Sequence, residues 1–219
     1  MFTTDHIPEY MIHFLVWPSL FILSLVIFRM RLRSYLIPIA AGTFVMVNVG
    51  ALLQSWKIVY LITIIQPLFF LLCLLIFFKV RFLQSILMIG ITFGYGLFIE
   101  FSYNAIIVQF DFTEFLTVTQ NEYVVQGAWV AAFNILLAYI MVKFRWGFTF
   151  ISSRYAIQKP KTAEVLSKLH FSAMTGIICL SLVSLSIFFW NEMFFVIAIA
   201  VVTLLAFVLH YSYKSELMD

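Results

Sequence analysis

The sequence predicts an all-α integral membrane protein: a single domain, residues 1–219, of seven transmembrane helices. Composition is the first observation behind this prediction. Of the 219 residues, 64% are hydrophobic and 11% are charged, and the mean hydropathy is +1.07. Soluble domains carry about 25% charged and about 45–50% apolar residues, so this chain is too apolar for a fold that faces water on all sides. Seven long apolar runs and a one-sided distribution of cations are the second and third observations.

Each apolar run is long enough to cross about 30 Å of hydrocarbon at about 1.5 Å per residue. In chain order the runs cover residues 10–28, 35–54, 58–78, 83–103, 123–142, 169–189 and 192–212. Because backbone polar groups in lipid must be satisfied within the segment, we predict helices rather than strands. The short connections RMRLRS and SWK predict antiparallel neighbours, whereas the connections 104–122 and 143–168 are longer.

The turns after the first and third runs resemble each other. FRMRLRSYLIPI begins at Phe28 and FKVRFLQSILMI begins at Phe78, so that Arg29 corresponds to Lys79. Either a duplicated helical hairpin or the shared constraints of the bilayer produces this likeness. In both cases the cations are typical of turns that stay on the cytoplasmic side.

The distribution of Lys and Arg gives the orientation. With the N-terminus outside and the C-terminus inside, twelve of the thirteen Lys and Arg residues lie in inner segments, and only Lys57 lies outside. The opposite orientation contradicts the rule that Lys and Arg are retained in short cytoplasmic loops. We therefore predict a multi-pass protein of the cell membrane.

Polar side chains of the first five runs are the candidate ligand-binding residues; five lie in the outer half and Asn134 lies near mid-membrane. They are His13, Asn48, Gln66, Glu100, Gln126 and Asn134. Polar groups at such depths usually face the bundle interior or a water-filled cavity, so we expect a cavity open to the outside. The alternative is hydrogen bonding between helices, worth about 0.6–2 kcal/mol each. For Glu100, near a helix end, the alternative is a side chain that reaches the outer interface.

Two further features belong to the outer side. Trp17, Trp56, Tyr103 and Trp129 are among the aromatic residues from which we expect an outer aromatic belt. The loop 104–122 contains three acidic residues and no cation. If this loop covers the cavity as a lid, its charge favours cationic ligands; the alternative is a helix lying on the membrane surface.

The inner loop 143–168 is the candidate contact with lipid or with a cytoplasmic partner. Its interacting residues are expected to be Arg145, Trp146, Arg154, Lys159 and Lys161. Aromatic and basic residues in such a loop are typical of a segment held at the interface by anionic lipid. Docking of a cytoplasmic protein is the alternative.

Several classes of function are disfavoured. No basic tract has the extent needed to neutralise a nucleic-acid backbone, so we expect no nucleic-acid partner. Cys73 and Cys179 each lie within an apolar run, which favours packing over a disulfide or a metal site. The sequence contains neither a Gly-rich nucleotide loop nor a His-Glu-x-x-His motif. We therefore expect no cofactor, no metal and no catalytic residue.

Three stretches resemble the membrane sensor region of GHKL-type histidine kinases, which include the accessory-gene-regulator-type peptide receptors of Gram-positive bacteria. They are LSLVIFRMRLRSYLIPI, the run from TIIQPLFF to GLFIEF with its turn FFKVRFLQS, and FDFTEFLTVTQNEYVVQGAW leading to AYIMVKFRWGF. The resemblance covers about residues 15–150 and implies six or seven helices that sense an extracellular signal, in the cytoplasmic membrane of a bacterium. The kinase part has no counterpart here, and His210 lacks the acidic residue that follows the phosphoacceptor histidine.

The preferred prediction is a non-enzymatic sensor or regulatory module. It would bind an extracellular peptide or an amphipathic small molecule and report to a cytoplasmic or membrane partner, or act as a homodimer. Tilting or sliding of the seventh helix would shift the population between two packings. The alternatives are a small transporter or the membrane subunit of one, for which Gln66-Pro67 is a candidate kink, and a membrane peptidase.

Overall fold

A computed structural model of the chain describes residues 7–55, 62–109 and 123–147 and the single residue 203. These residues form α-helices and one short 3-10 helix, Leu32–Tyr35, and none of them lies in a β-strand. We number the α-helices in chain order: α1 Ile7–Ile27, α2 Leu36–Ser55, α3 Ile62–Ile76, α4 Phe82–Ile107 and α5 Tyr123–Phe144. The described part of the protein is therefore all-α, as the sequence predicts.

Four helical segments are long and apolar enough to cross a membrane. They are Tyr10–Ile27, Leu32–Leu53, Gln84–Ile107 and Val124–Phe144, and α3 contains the shorter apolar segment Ile64–Ile76. Each of the first five predicted runs overlaps one of the five helices. The predicted runs 169–189 and 192–212 lie outside the described residues. Length and composition thus support a membrane protein whose helices contact the lipid bilayer.

Helix α1 lies at the centre of the described helices. It packs most extensively against α5, then against α2, and also contacts α4. The other extensive contacts join helices that follow one another in the chain, α2 with α3, α3 with α4, and α4 with α5. The central position of α1 explains why side chains such as Leu23 and Leu25 are fully buried.

Helices α1 and α5 run parallel and in register. Ile12 faces Gly127 near their N-terminal ends, Ser19 is hydrogen-bonded to Asn134 further along, and Arg29 reaches the backbone of Arg145 beyond their C-terminal ends. This pair of helices therefore connects the two ends of the bundle along a continuous contact.

An aromatic cluster forms the core between α1, α3 and α4. The ring of Phe21 stacks on Phe70 with centroids 4.3 Å apart and on Phe78 at 5.2 Å. Phe70 in turn meets the ring of Phe93 edge-on at 5.2 Å. Trp17 packs against Phe70 and Phe93 and is only 2% exposed. Trp17 is thus a core residue of the bundle, contrary to the expectation that it belongs to an aromatic belt.

Three helices end on a cationic residue with left-handed backbone, a conformation that usually requires glycine. Arg29 follows α1 at φ 49°, Lys79 follows α3 at φ 53° and Arg145 follows α5 at φ 55°. At Arg29 and Arg145, paired backbone hydrogen bonds close the last helical turn, including Met30 N–H to Leu25 O and Trp146 N–H to Met141 O, both at 2.9 Å. A positive charge there also interacts favourably with the helix dipole.

These helix ends define what we call the basic end of the bundle. It contains every Lys and Arg of the described residues, and each is exposed. They are Arg29, Arg31, Arg33, Lys79, Arg81, Lys143 and Arg145. The acidic residues of the described part, Glu9 and Glu100, lie toward the opposite end, since α1 begins there and α4 runs toward it. The bundle is therefore strongly asymmetric in charge along its axis.

Candidate functional site

Glu100 of α4 and Gln126 of α5 meet at the contact between these two helices, which we call the α4–α5 seam. The side chain of Gln126 interacts with the carboxylate of Glu100. Gln126 is 4% exposed, and its Nε2 makes no hydrogen bond of regular geometry within the described structure. Glu100 is half-buried. The seam thus places a carboxylate beside a buried amide donor that has hydrogen-bonding capacity to spare.

An aromatic wall continues the seam three residues further along each helix. The rings of Tyr103 and Trp129 lie 5.6 Å apart between their centroids, and Trp129 also contacts Phe133 of its own helix at 4.8 Å. Tyr103 is buried, whereas Trp129 is 39% exposed. Because residues three apart share a helix face, the carboxylate, the amide and this aromatic pair line one continuous seam.

A second polar contact lies between α1 and α5. The Nδ2 of Asn134 donates a hydrogen bond to Oγ of Ser19 at 3.0 Å, and the Ser19 hydroxyl donates to the Val16 carbonyl at 2.7 Å. Both side chains are almost completely buried. The Oδ1 of Asn134 has no hydrogen-bond donor within the described structure. The candidate residues Glu100, Gln126 and Asn134 therefore make polar contacts between helices.

The remaining three candidates lie elsewhere. His13 is 2% exposed, and its imidazole packs against α2 where Gly50 provides the space. Asn48 lies on the exposed face of α2, and its Nδ2 donates to the carbonyl of Phe44 one turn earlier at 2.7 Å. Gln66 is half-buried in α3, next to Pro67. The structure does not bring Asn48 together with the other candidates.

Several buried polar groups are absent from the set chosen from the sequence. Ser19 is the clearest case, since it is the direct partner of Asn134. The hydroxyls of Ser24, Thr43 and Thr92 and the indole N–H of Trp17 are also buried and have no hydrogen-bond partner within the described structure. Hydroxyl side chains are common in membrane helices, so sequence alone gives little signal for them. For Ser19 the signal appears only once α1 and α5 are known to be parallel.

The basic end presents exposed aromatic and cationic side chains at the end of α5. Trp146 is 61% exposed and contacts the ring of Phe144 at 5.5 Å, and Lys143 lies over the same ring with Nζ 5.9 Å from its centroid. The guanidinium of Arg29 donates a hydrogen bond to the carbonyl of Arg145. The other expected contacts, Arg154, Lys159 and Lys161, lie outside the described residues.

No family model matches the sequence, and neither a curated protein nor a solved structure is significantly similar to it. Function must therefore be inferred from the site itself. Among residues 7–55, 62–109 and 123–147, no three His, Cys, Asp or Glu side chains are grouped as metal ligands would be. What these residues do offer is a seam with an acidic group at one end of the bundle and a basic surface at the other.

Proposed function

We propose that the protein is a non-enzymatic membrane sensor or regulatory module. It binds a peptide or an amphipathic small molecule outside the cell, and it reports to a protein partner at its cytoplasmic side. In this proposal the basic end faces the cytoplasm and the α4–α5 seam faces outward. The resemblance of residues 15–150 to the sensor region of GHKL-type kinases supports the same proposal.

The observation that carries the proposal is that α5 joins the seam to the basic end. Gln126 and Trp129 lie in its first two turns, and Arg145 and Trp146 follow its last turn. Between them α5 is held parallel to α1 through Ser19 and Asn134. A ligand that shifts α5 by 1–2 Å at the seam, on the order of known helix displacements, would also change the contact of Arg29 with Arg145.

Orientation is tested first, with single cysteines in a chain from which Cys73 and Cys179 have been removed. Gln109 follows α4 at the opposite end, and Trp146 lies at the basic end; both are exposed. We expect a membrane-impermeant maleimide to label Gln109→Cys on intact cells and Trp146→Cys only after permeabilisation. The reverse pattern would place the seam on the cytoplasmic side and would refute a receptor for an external ligand.

Signalling is tested with a disulfide that locks α1 to α5. A Cβ built on Gly127 lies 2.7 Å from Cγ1 of Ile12, so the Cβ atoms at these positions are at most about 4.2 Å apart, which suits a disulfide. A photo-crosslinking residue at Trp146 then captures the partner in cells, with the same residue at Gln109 as the control.

If the protein is a sensor, the disulfide between Ile12→Cys and Gly127→Cys should make the yield of the partner crosslinked at Trp146 independent of the signal under oxidising conditions. Dithiothreitol should restore the response to growth medium that contains the signal. The single cysteine variants serve as controls for the substitutions themselves. An adduct yield that responds equally in the locked and the reduced protein would exclude signalling through this helix pair.

A small transporter is the second candidate, favoured by one observation. Pro67 lies inside α3 beside the half-buried Gln66, and a proline in a helix removes a backbone hydrogen bond and often marks a kink or a broken helix. For a transporter, Pro67→Ala should abolish uptake or efflux of the ligand. If the protein is a sensor, neither the native protein nor the Pro67→Ala variant should transport the ligand.

A further inference from the structure

The charge of Glu100 has no counter-charge within the described structure. All the Lys and Arg residues of that part are at the basic end, beyond the ends of α1, α3 and α5. The carboxylate interacts with the neutral amide of Gln126. Acidic side chains inside membrane helices are rare and are usually paired with a cation or placed on the path of a substrate. Among the described residues no cation pairs with Glu100, which leaves its carboxylate available to a bound cation.

Gln126 provides an independent indication of a ligand. Its side chain is more than nine-tenths buried and interacts with the carboxylate of Glu100, but its Nε2 makes no hydrogen bond of regular geometry within the described structure. An amide has two N–H groups, and buried polar groups are nearly always hydrogen-bonded, so the N–H of Gln126 that does not serve Glu100 is available to a bound group. A ligand with a carbonyl next to its cationic group would satisfy both side chains.

The aromatic wall adds the third element. Tyr103 and Trp129 lie at the same seam, and Trp129 is partly exposed, so one face of the site can be reached from outside the bundle. The face of an indole ring attracts ammonium and guanidinium groups within about 6 Å of its centroid. A carboxylate, an amide and an indole together are suited to an organic cation and unsuited to an anion.

We propose that the α4–α5 seam is a binding site for an organic cation, an ammonium or guanidinium group, with Glu100 as the counter-charge. Gln126 donates to an acceptor next to that group, and Trp129 covers it. The inference rests on the proposed function only in taking this cation to be the sensed signal. Binding to the purified protein tests the site by itself, whether or not a partner responds.

The experiment uses saturation-transfer difference NMR on the full chain in dodecyl maltoside micelles, because this detergent has no ammonium group that would compete for the site. The probe is butylammonium, and butyrate and 1-butanol are anionic and neutral probes of the same length. We expect saturable binding of butylammonium alone, with an apparent Kd raised at least about tenfold by Glu100→Gln, the contribution of a charged hydrogen bond. Glu9→Gln, which removes a carboxylate from the first turn of α1, is the matched control and should leave the Kd unchanged.

Trp129→Leu is a second variant that keeps the test valid if Glu100→Gln fails to fold. It removes the indole from a partly exposed position, and it should weaken butylammonium binding severalfold. The proposal is overturned if the folded native protein does not bind butylammonium, if butyrate or butanol binds equally well, or if both variants bind as the native protein does. A sensor with another ligand would remain possible in each of these cases.

Discussion

Asn134 of α5 donates its Nδ2 hydrogen to Oγ of Ser19 in α1 at 3.0 Å. The hydroxyl of Ser19 in turn donates a hydrogen bond to the carbonyl of Val16. The two side chains are buried midway along the most extensive helix contact of the described structure. In a membrane, where lipid tails are as apolar as leucine, such hydrogen bonds and close packing hold helices together. This buried hydrogen bond is therefore a polar contact that stabilises the packing of the two parallel helices.

Ser19→Ala should lower the free energy of unfolding by about 0.6–1.7 kcal/mol, the range measured for hydrogen bonds between membrane helices. It leaves the buried Nδ2 of Asn134 without an acceptor. Asn134→Leu also loses the bond but removes the orphaned amide, so the double variant should be less destabilised than the sum of the two single variants. Unfolding by sodium dodecyl sulfate in bicelles measures the cycle, and full additivity would show that the bond is energetically unimportant.

Gly42→Ala should destabilise the protein by about 1–3 kcal/mol through overpacking. A Cβ at this position would lie 2.9 Å from Cζ of Phe21, and that ring is confined by its stacking on Phe70 and Phe78. Gly96→Ala is the matched control. Its nearest atom, Cδ2 of Leu20, is 3.8 Å away, so stability should stay the same or rise by up to about 1 kcal/mol. Equal losses at both glycines would indicate that helix flexibility, and not the ring, is responsible.

Asn48→Leu should change the free energy of unfolding by less than about 0.5 kcal/mol, as for most exposed positions. Its side chain is exposed and bonds only to the preceding turn of its own helix. Gln126→Leu differs, because that side chain is buried against Glu100 at the α4–α5 seam. We expect Gln126→Leu, and not Asn48→Leu, to weaken binding of butylammonium, because the amide of Gln126 interacts with the carboxylate that pairs with the cation. A ligand effect of Asn48→Leu would instead support the cavity that the sequence predicts.

Lys79→Gly should raise stability by about 0.5–1 kcal/mol, because Lys79 has a left-handed backbone that glycine adopts without steric cost. Arg29→Gly should gain less or lose stability. Arg29 has the same backbone conformation, but its guanidinium donates a hydrogen bond to the carbonyl of Arg145. Thermal unfolding in the same detergent compares the two variants. A larger gain at Arg29 would show that its bond to Arg145 contributes nothing to stability.

Helix class and approximate helix positions follow directly from the sequence, because an apolar run of about twenty residues has few other stable forms in lipid. The third run shows where this reasoning loses accuracy. The run is predicted to end at residue 78, and α3 ends at Ile76, whereas its predicted start at residue 58 lies outside the described residues. Hydropathy does not report where backbone hydrogen bonds begin or end, whereas the left-handed residue Lys79 and its capping bonds do.

The candidate site was harder to predict, since depth in the membrane says nothing about which way a side chain points. Asn48 and Gln126 are both amides in the outer half of their predicted runs, yet Asn48 is exposed and Gln126 is buried. The difference arises from which helices pack together, in particular from the contact of α5 with both α1 and α4. Ser19 is not predicted for the same reason, because the role of a serine in a membrane helix depends on which residue of a neighbouring helix it contacts.

Gly147 has a consequence for work with reporter fusions. At φ 135° it is the one described glycine with positive φ, and a Cβ there would come within 2.7 Å of the carbonyl oxygen of Ile27. The polypeptide thus leaves α5 by passing tightly under the end of α1. A fluorophore or affinity handle inserted at this residue would be wedged against the first helix, whereas one attached at Trp146 has room.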